Sequence, residues 1–201
     1  MKEDVLEQIV DDYLNFKGYF TIHNVPFHPS NSHPDYSARD DSVPSGIDVI
    51  GIHPKKRGAE RVIAVTCKSW QGGFHAERLL GQLRGERKNP KRATWRHFRE
   101  LWKPKWSEAF RDEVEARTGA RVFIYKIAVT RLIGDPAGWS SDKTIAANLP
   151  NCPVGFLEIE EMWTTILREL TERPAPSELG RVAQVLKAAG LVTHPDPPAS
   201  A

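Results

Sequence analysis

Two residues at the ends of apolar runs carry the most chemistry. Asp48 lies inside the run G-I-D-V-I-G-I (46–52), and Lys68 closes the run R-V-I-A-V-T-C-K (61–68). A carboxylate inside an apolar run is costly to bury unless a cation or hydrogen-bond donors face it. If both runs are strands, alternation puts Val62, Ala64, Thr66 and Lys68 on one face and Ile63, Val65 and Cys67 on the other. Hairpin pairing then brings Asp48 and Lys68 to one sheet edge. An acid and a lysine so placed suit phosphodiester hydrolysis. The acid holds a divalent cation, and the cation and lysine together orient a water and stabilise charge on the pentacovalent phosphorus. Mg²⁺ is the natural ion, because it prefers oxygen ligands and keeps several waters, with Mn²⁺ as a substitute. Taken alone, Asp48 serves as well to cap a turn or to form a structural ion pair with Lys68.

A second cluster lies downstream. Residues 84–106 hold nine basic side chains (Arg84, Arg87, Lys88, Lys91, Arg92, Arg96, Arg99, Lys103, Lys105) against Glu86 and Glu100, a local charge of +7 within a chain whose net charge is only +2. Trp95, Trp102 and Trp106 are interleaved with them. Cations of this density neutralise phosphates and release counterions, and exposed aromatics stack on splayed bases. The alternative is a solvated helix face whose tryptophans point into the core. The first twelve residues hold five acids and one lysine, which repel a phosphate backbone unless a metal ion lies between.

The elements that must position these groups follow from periodicity. Residues 3–17 read as a helix, with Leu6, Ile9, Val10 and Tyr13 on one stripe and Lys17-Gly18 as its stop. Residues 19–25 alternate as a strand, and the proline-rich stretch 26–45 is a long loop. Strands at 46–52 and 61–67 make the hairpin. A helix at 75–87, a helix at 108–117 and a strand at 121–130 follow, then a short helix at 143–149, a strand at 154–159 and a helix at 160–172. Pro174-Ala175-Pro176 is a linker, and Ser177 caps a last helix that ends at Gly190. The order predicts an α/β fold, a mixed central sheet flanked by helices. The expected division is one domain over residues 1–172, followed by the linker, the terminal helix and a disordered tail over 173–201.

Composition excludes other classes. The 201 residues, 40% hydrophobic and 27% charged, suit one globular domain. No apolar run reaches the roughly 20 residues of a membrane span. The acidic, amphipathic start reads as neither a signal nor a transit peptide, and two cysteines make no disulfide framework, so a reducing cytoplasm is expected. His28 and His33 lack a second pair at zinc spacing. No G-x-S-x-G and no P-loop motif is present.

G-I-D-V-I-G-I followed by V-I-A-V-T-C-K-S-W resembles the core of the PD-(D/E)xK nuclease superfamily, in the flavour of Mrr-type restriction endonucleases and archaeal Holliday-junction resolvases. The resemblance covers roughly residues 3–160, though its sharp part is only Asp48 and T-C-K. It implies a restriction-endonuclease-like α-β-β-β-α-β core and a metal-dependent nuclease that cleaves DNA with low sequence specificity. Asp48 then matches the metal-binding aspartate, Lys68 the catalytic lysine, the Cys67 carbonyl the main-chain metal ligand, and Glu7 the first-helix glutamate. Gln82 matches the glutamine that some branches carry on the following helix. The implied nucleic-acid contacts are Arg84, Arg87, Lys88, Lys91, Arg92, Trp95, Arg96, Arg99 and Trp102, and homodimers are common in the family. Thr66 departs from the pattern, because the family places Glu, Asp or Gln there and a neutral hydroxyl is a poor Mg²⁺ ligand. Glu77 is a candidate for a migrated carboxylate. The departure leaves a second reading open: a catalytically silent nuclease fold that binds nucleic acid within a larger complex.

Overall fold

The first helix forms where the sequence places its stripe. In the computed structural model, which describes residues 4–87 and 93–192, α1 (Val5–Phe16) buries Leu6, Ile9, Val10, Tyr13 and Leu14. The Asp4 side chain caps it by accepting the Leu6 N–H at 3.1 Å, and Gly18 takes the left-handed conformation that ends it. β1 (Phe20–Phe27) runs antiparallel to β2 (Ser45–Ile52), and β2 runs antiparallel to β3 (Val62–Lys68). β5 (Ile124–Val129) then lies parallel to β3, and β7 (Val154–Glu158) parallel to β5. The result is an α/β fold around a mixed five-stranded sheet in the order β1-β2-β3-β5-β7. β1 continues two residues beyond the expected end because it is an edge strand. Pro26 needs no inward N–H there and pairs opposite Gly46.

Helices cover both faces. α1, α8 (Ile159–Glu169) and α9 (Glu178–Ala188) pack on Val49, Val65, Ala128 and Leu157. The other face carries Ile50, Val62, Ala64, Tyr125, Ile127 and Val129, covered by α3 (Ala76–Leu83), α4 (Arg99–Trp102), α5 (Pro104–Thr118), α6 (Ala137–Ser141) and α7 (Lys143–Asn148). A small parallel pair, β4 (Phe74–His75) with β6 (Leu132–Ile133), sits beside the main sheet. Gly73 precedes it with φ +78°, which L side chains rarely adopt, and a Cβ there would lie 3.2 Å from the Arg131 carbonyl oxygen, so the position favours glycine.

Several boundaries differ from expectation for identifiable reasons. The helix predicted at 75–87 stops at Leu83 because Gly85 adopts φ +80°. The helix predicted to begin at residue 108 begins at Pro104, whose fixed φ and missing N–H suit the first turn. The 26–45 stretch contains a one-turn helix, α2 (Ala38–Asp41). The last helix docks on the body. The Ser177 hydroxyl caps it by accepting the Gly180 N–H at 2.8 Å and donates to Asp12 at 2.6 Å, while the Lys187 ammonium donates to the Leu167 carbonyl at 2.7 Å. The predicted tail at 195–201 lies outside the described residues. No helix among the described residues is long and apolar enough to cross a membrane.

The proline-rich stretch is tied down by one carboxylate. Asp41 is fully buried and accepts hydrogen bonds from the Trp106 indole N–H (2.9 Å), the Lys105 ammonium (2.5 Å) and the Ser37 N–H (2.8 Å). Truncating one partner of a buried pair strands the other. Asp41→Ala is therefore expected to destabilise the protein by about 3 kcal/mol or more in urea titration, and to make residues 28–42 the first site of limited proteolysis.

Candidate active site

Asp48 sits where two strands change face. Ile47 and Ile50 pack on the same core, as do Ile22 and Val25 across the sheet, which strict alternation forbids. The switch is made at Asn24, which holds φ +51° opposite Asp48 and interrupts the β1–β2 ladder there. The β2–β3 register extends from Val49↔Val65 to place Asp48 across from Thr66.

The Asp48 carboxylate is half-buried and accepts the Cys67 N–H at 2.5 Å, with the Thr66 hydroxyl 3.5 Å from the same oxygen. Burial pushes its carboxyl above the usual range. The Cys67 N–H, the Lys68 charge and the Thr66 hydroxyl oppose that rise. A strand residue directs its N–H and C=O to the same side, so the Cys67 carbonyl lies on the edge that faces Asp48. Cys67 itself packs on the α1 side, as expected of a core thiol. Burial pushes the thiol up, and the charges of Asp48, Glu7 and Asp4 push it further. Asp48 and the acidic first turn of α1 therefore act on the same point.

Lys68 leaves β3 on the opposite face, with its ammonium 5.8 Å from the Phe98 ring centroid. Sequence reasoning counted Glu100 only as an acid within a basic run, yet it is buried on α4 and accepts the Tyr125 hydroxyl at 2.5 Å. Burial raises its carboxyl, and the Lys68 charge is the strongest opposing influence. The one available signal was its helical neighbourhood: Glu100 stands between Phe98 and Leu101, both fully buried.

The other predicted site residues are placed as follows. Gln82, half-buried on α3, accepts the Thr94 hydroxyl at 2.9 Å. Glu77 is exposed and accepts the Asp135 N–H at 3.2 Å. Thr66 is buried. The basic segment is no single face. It holds a 3₁₀ turn at Thr94–His97, then α4 and the start of α5. Trp106 is fully buried, so it is a core residue and not a stacking platform. Trp95 and Trp102 are half-buried against the core. Most of the described cations there already have local partners. Arg84 pairs with Asp142 at 2.9 Å and Arg96 with Asp40 at 2.6 Å. Arg99 lies 4.6 Å from the Trp106 ring centroid and donates to the Val43 carbonyl at 3.1 Å. Lys103 lies over Trp95 at 4.9 Å. Arg87 is exposed. Lys88, Lys91 and Arg92 lie outside the described residues.

Among the described residues, no group of three or more His, Cys, Asp or Glu side chains is arranged to hold a metal ion. The donors at Asp48 nonetheless suit Mg²⁺, which takes one or two carboxylates, accepts carbonyl oxygen and keeps its waters. No family model, no curated protein and no solved structure matches the chain.

An aspartate whose pKa is raised by folding binds its proton more tightly in the native state, so its contribution to stability falls as pH rises through that window. Asp48→Asn keeps an acceptor for the Cys67 N–H without the charge. It is expected to raise the melting temperature at neutral pH, and the gain is expected to disappear as pH falls below the ordinary aspartate value of 3.8. Calorimetry of both proteins between about pH 3 and about pH 8 reads the difference.

Proposed function

We propose that the chain is a metal-dependent nuclease that hydrolyses DNA phosphodiester bonds with low sequence specificity. The observation that carries this reading is the Asp48 carboxylate, held by the Cys67 N–H at the end of β3, with Lys68 leaving the same strand one residue later. The element order of one helix, three antiparallel strands, a helical crossover and a parallel strand supports it.

Asp48 would hold the cation, with the Cys67 carbonyl and Glu7 beside it. Bound Mg²⁺ supplies Lewis-acid polarisation of a phosphate oxygen and lowers the pKa of a water. Lys68 stabilises the negative charge that grows on the phosphoryl oxygens as water attacks and the ester P–O bond breaks. Thr66 adds a neutral hydroxyl where a second carboxylate would bind the ion more tightly, so occupancy of the site needs a higher concentration of cation. Arg96 forms a partly exposed ion pair with Asp40. Exposed pairs are weak, so a phosphate can replace Asp40 at little cost.

Lys68→Ala and Asp48→Ala are each expected to abolish Mg²⁺-dependent cleavage of duplex and single-stranded DNA while circular dichroism stays native. Affinity for DNA, measured in Ca²⁺, is expected to fall with rising salt. Cleavage retained by Lys68→Ala removes the lysine from the reaction. Salt-dependent binding by a wild-type chain that cleaves nothing in Mg²⁺ or Mn²⁺ makes it a silent binding module instead.

A further inference from the structure

The contacts that fasten residues 35–43 fall on the basic segment. The Arg96 guanidinium donates to the Asp40 carboxylate at 2.6 Å, and Arg99 donates to the Val43 carbonyl at 3.1 Å. The Lys105 ammonium donates to the Asp35 carbonyl at 2.7 Å and to the Asp41 carboxylate. One surface strap thus holds three cations of the run at 84–106. Between residues 34 and 44 only Asp41 is buried, and the Val43 side chain is 65% exposed. Polar contacts, more than apolar burial, keep the strap in place.

Those contacts are of two kinds. Asp41 is enclosed and answers Lys105, Trp106 and Ser37, so it is a fixed anchor. Asp40 is its opposite, with its own side chain 35% exposed and that of Arg96 44% exposed. Arg99 is satisfied only in part, because its Nε is buried without a hydrogen-bond partner. Arg96 also lies over the Trp95 ring at 5.5 Å, and Lys103 lies over the same ring at 4.9 Å. The anion beside these two cations is Asp40. A guanidinium accepts carboxylate and phosphate oxygens in the same geometry. The location is close to the candidate site. Phe98 stands between Arg96 and Arg99 in the chain, and its ring lies 5.8 Å from the Lys68 ammonium. The strap itself leads into β2, which carries Asp48.

We propose that the strap of residues 35–43 is an internal competitor of the DNA backbone: Asp40 occupies Arg96 as a phosphate would, and a bound strand takes over Arg96 and lifts the strap at Asp40 while Asp41 holds its base. The role rests on the nuclease reading given above and names how access to that site is regulated. The exposure of the pair sets the size of the effect. An exposed ion pair is weak, so the strap tunes affinity without abolishing it. Salt screens the pair and weakens the competition further.

The test measures binding of a labelled DNA duplex in Ca²⁺ at low salt. It uses the full chain as wild type, Asp40→Asn, Arg96→Gln and the double variant. Glu172→Gln, at an exposed acid just after α8, is the charge-matched control. Asp40→Asn is expected to tighten binding about 2- to 5-fold, the worth of an exposed pair, and Glu172→Gln to change it less. The gain is expected to vanish in the Arg96→Gln background and to shrink as salt rises. Adding DNA to the wild type is expected to speed tryptic cleavage after Arg39, the exposed strap residue beside Asp40. Four results overturn the proposal: equal affinity of Asp40→Asn and wild type, an equal gain in Glu172→Gln, a gain that survives in the Arg96→Gln background, or unchanged or slower cleavage after Arg39 with DNA. If none of the chains binds DNA at low salt, the nuclease reading falls and the strap proposal with it. Wild-type binding without a gain in Asp40→Asn removes the strap proposal alone, so the two failures are distinguishable.

Discussion

The structure around the candidate site depends on holding carboxylates out of water beside an apolar sheet. Asp48 is the central case. Its carboxylate is drawn between two strands, where burial favours the protonated form, and what keeps it in place is a single backbone N–H with a hydroxyl close by. That N–H is available only because the β2–β3 ladder has ended at Val49↔Val65. Had the ladder continued regularly, Cys67 would have spent its donor on β2 and the carboxylate would have had none. The face switch at Asn24 and the end of the ladder are thus one feature seen on two strands.

The same constraint recurs across the molecule, and each time it fastens a segment with little apolar surface of its own. Asp41 draws Lys105 and Trp106 to the proline-rich stretch. Asp142 caps α7 through the Thr144 N–H and also takes Arg84. Asp12 receives the cap residue of the last helix. Each acid removes a cation or a donor from the surface. Among the described residues of 84–106, Arg84, Arg96, Arg99, Lys103 and Lys105 are therefore already engaged, and Trp106 serves as a wall of the core with a guanidinium over its ring.

Much of the frame was legible from residue order. The stripe Leu6, Ile9, Val10, Tyr13 gave α1. The β-branched run ending in Lys68 gave β3 and the faces of its side chains, with Ala64 and Val65 in different cores. Ser177 and Gly190 bracketed the last helix. These rest on local rules: alternation, helical spacing and capping act within a few residues. Illegible were the pairs distant in the chain. Glu100 meets Tyr125 across 25 positions, and Lys105 meets Asp41 across 64. The aromatic interior joins rings from Phe74, Phe98 and Trp139, which no spacing connects.

By itself the sequence determined the order of the main helices and of the five strands of the central sheet, the α/β class and the placing of an aspartate and a lysine on neighbouring strands, because hydrophobic period and strand alternation are set by the chain's own local geometry. Only the tertiary structure decided which charges are spent. Whether a cation is free for a phosphate or tied to Asp40, Asp41 or Asp142, and whether an acid in a basic run is solvated or buried, depends on what packs against it. Desolvation is a property of the assembled surroundings, and the residues that create it are far apart in the chain.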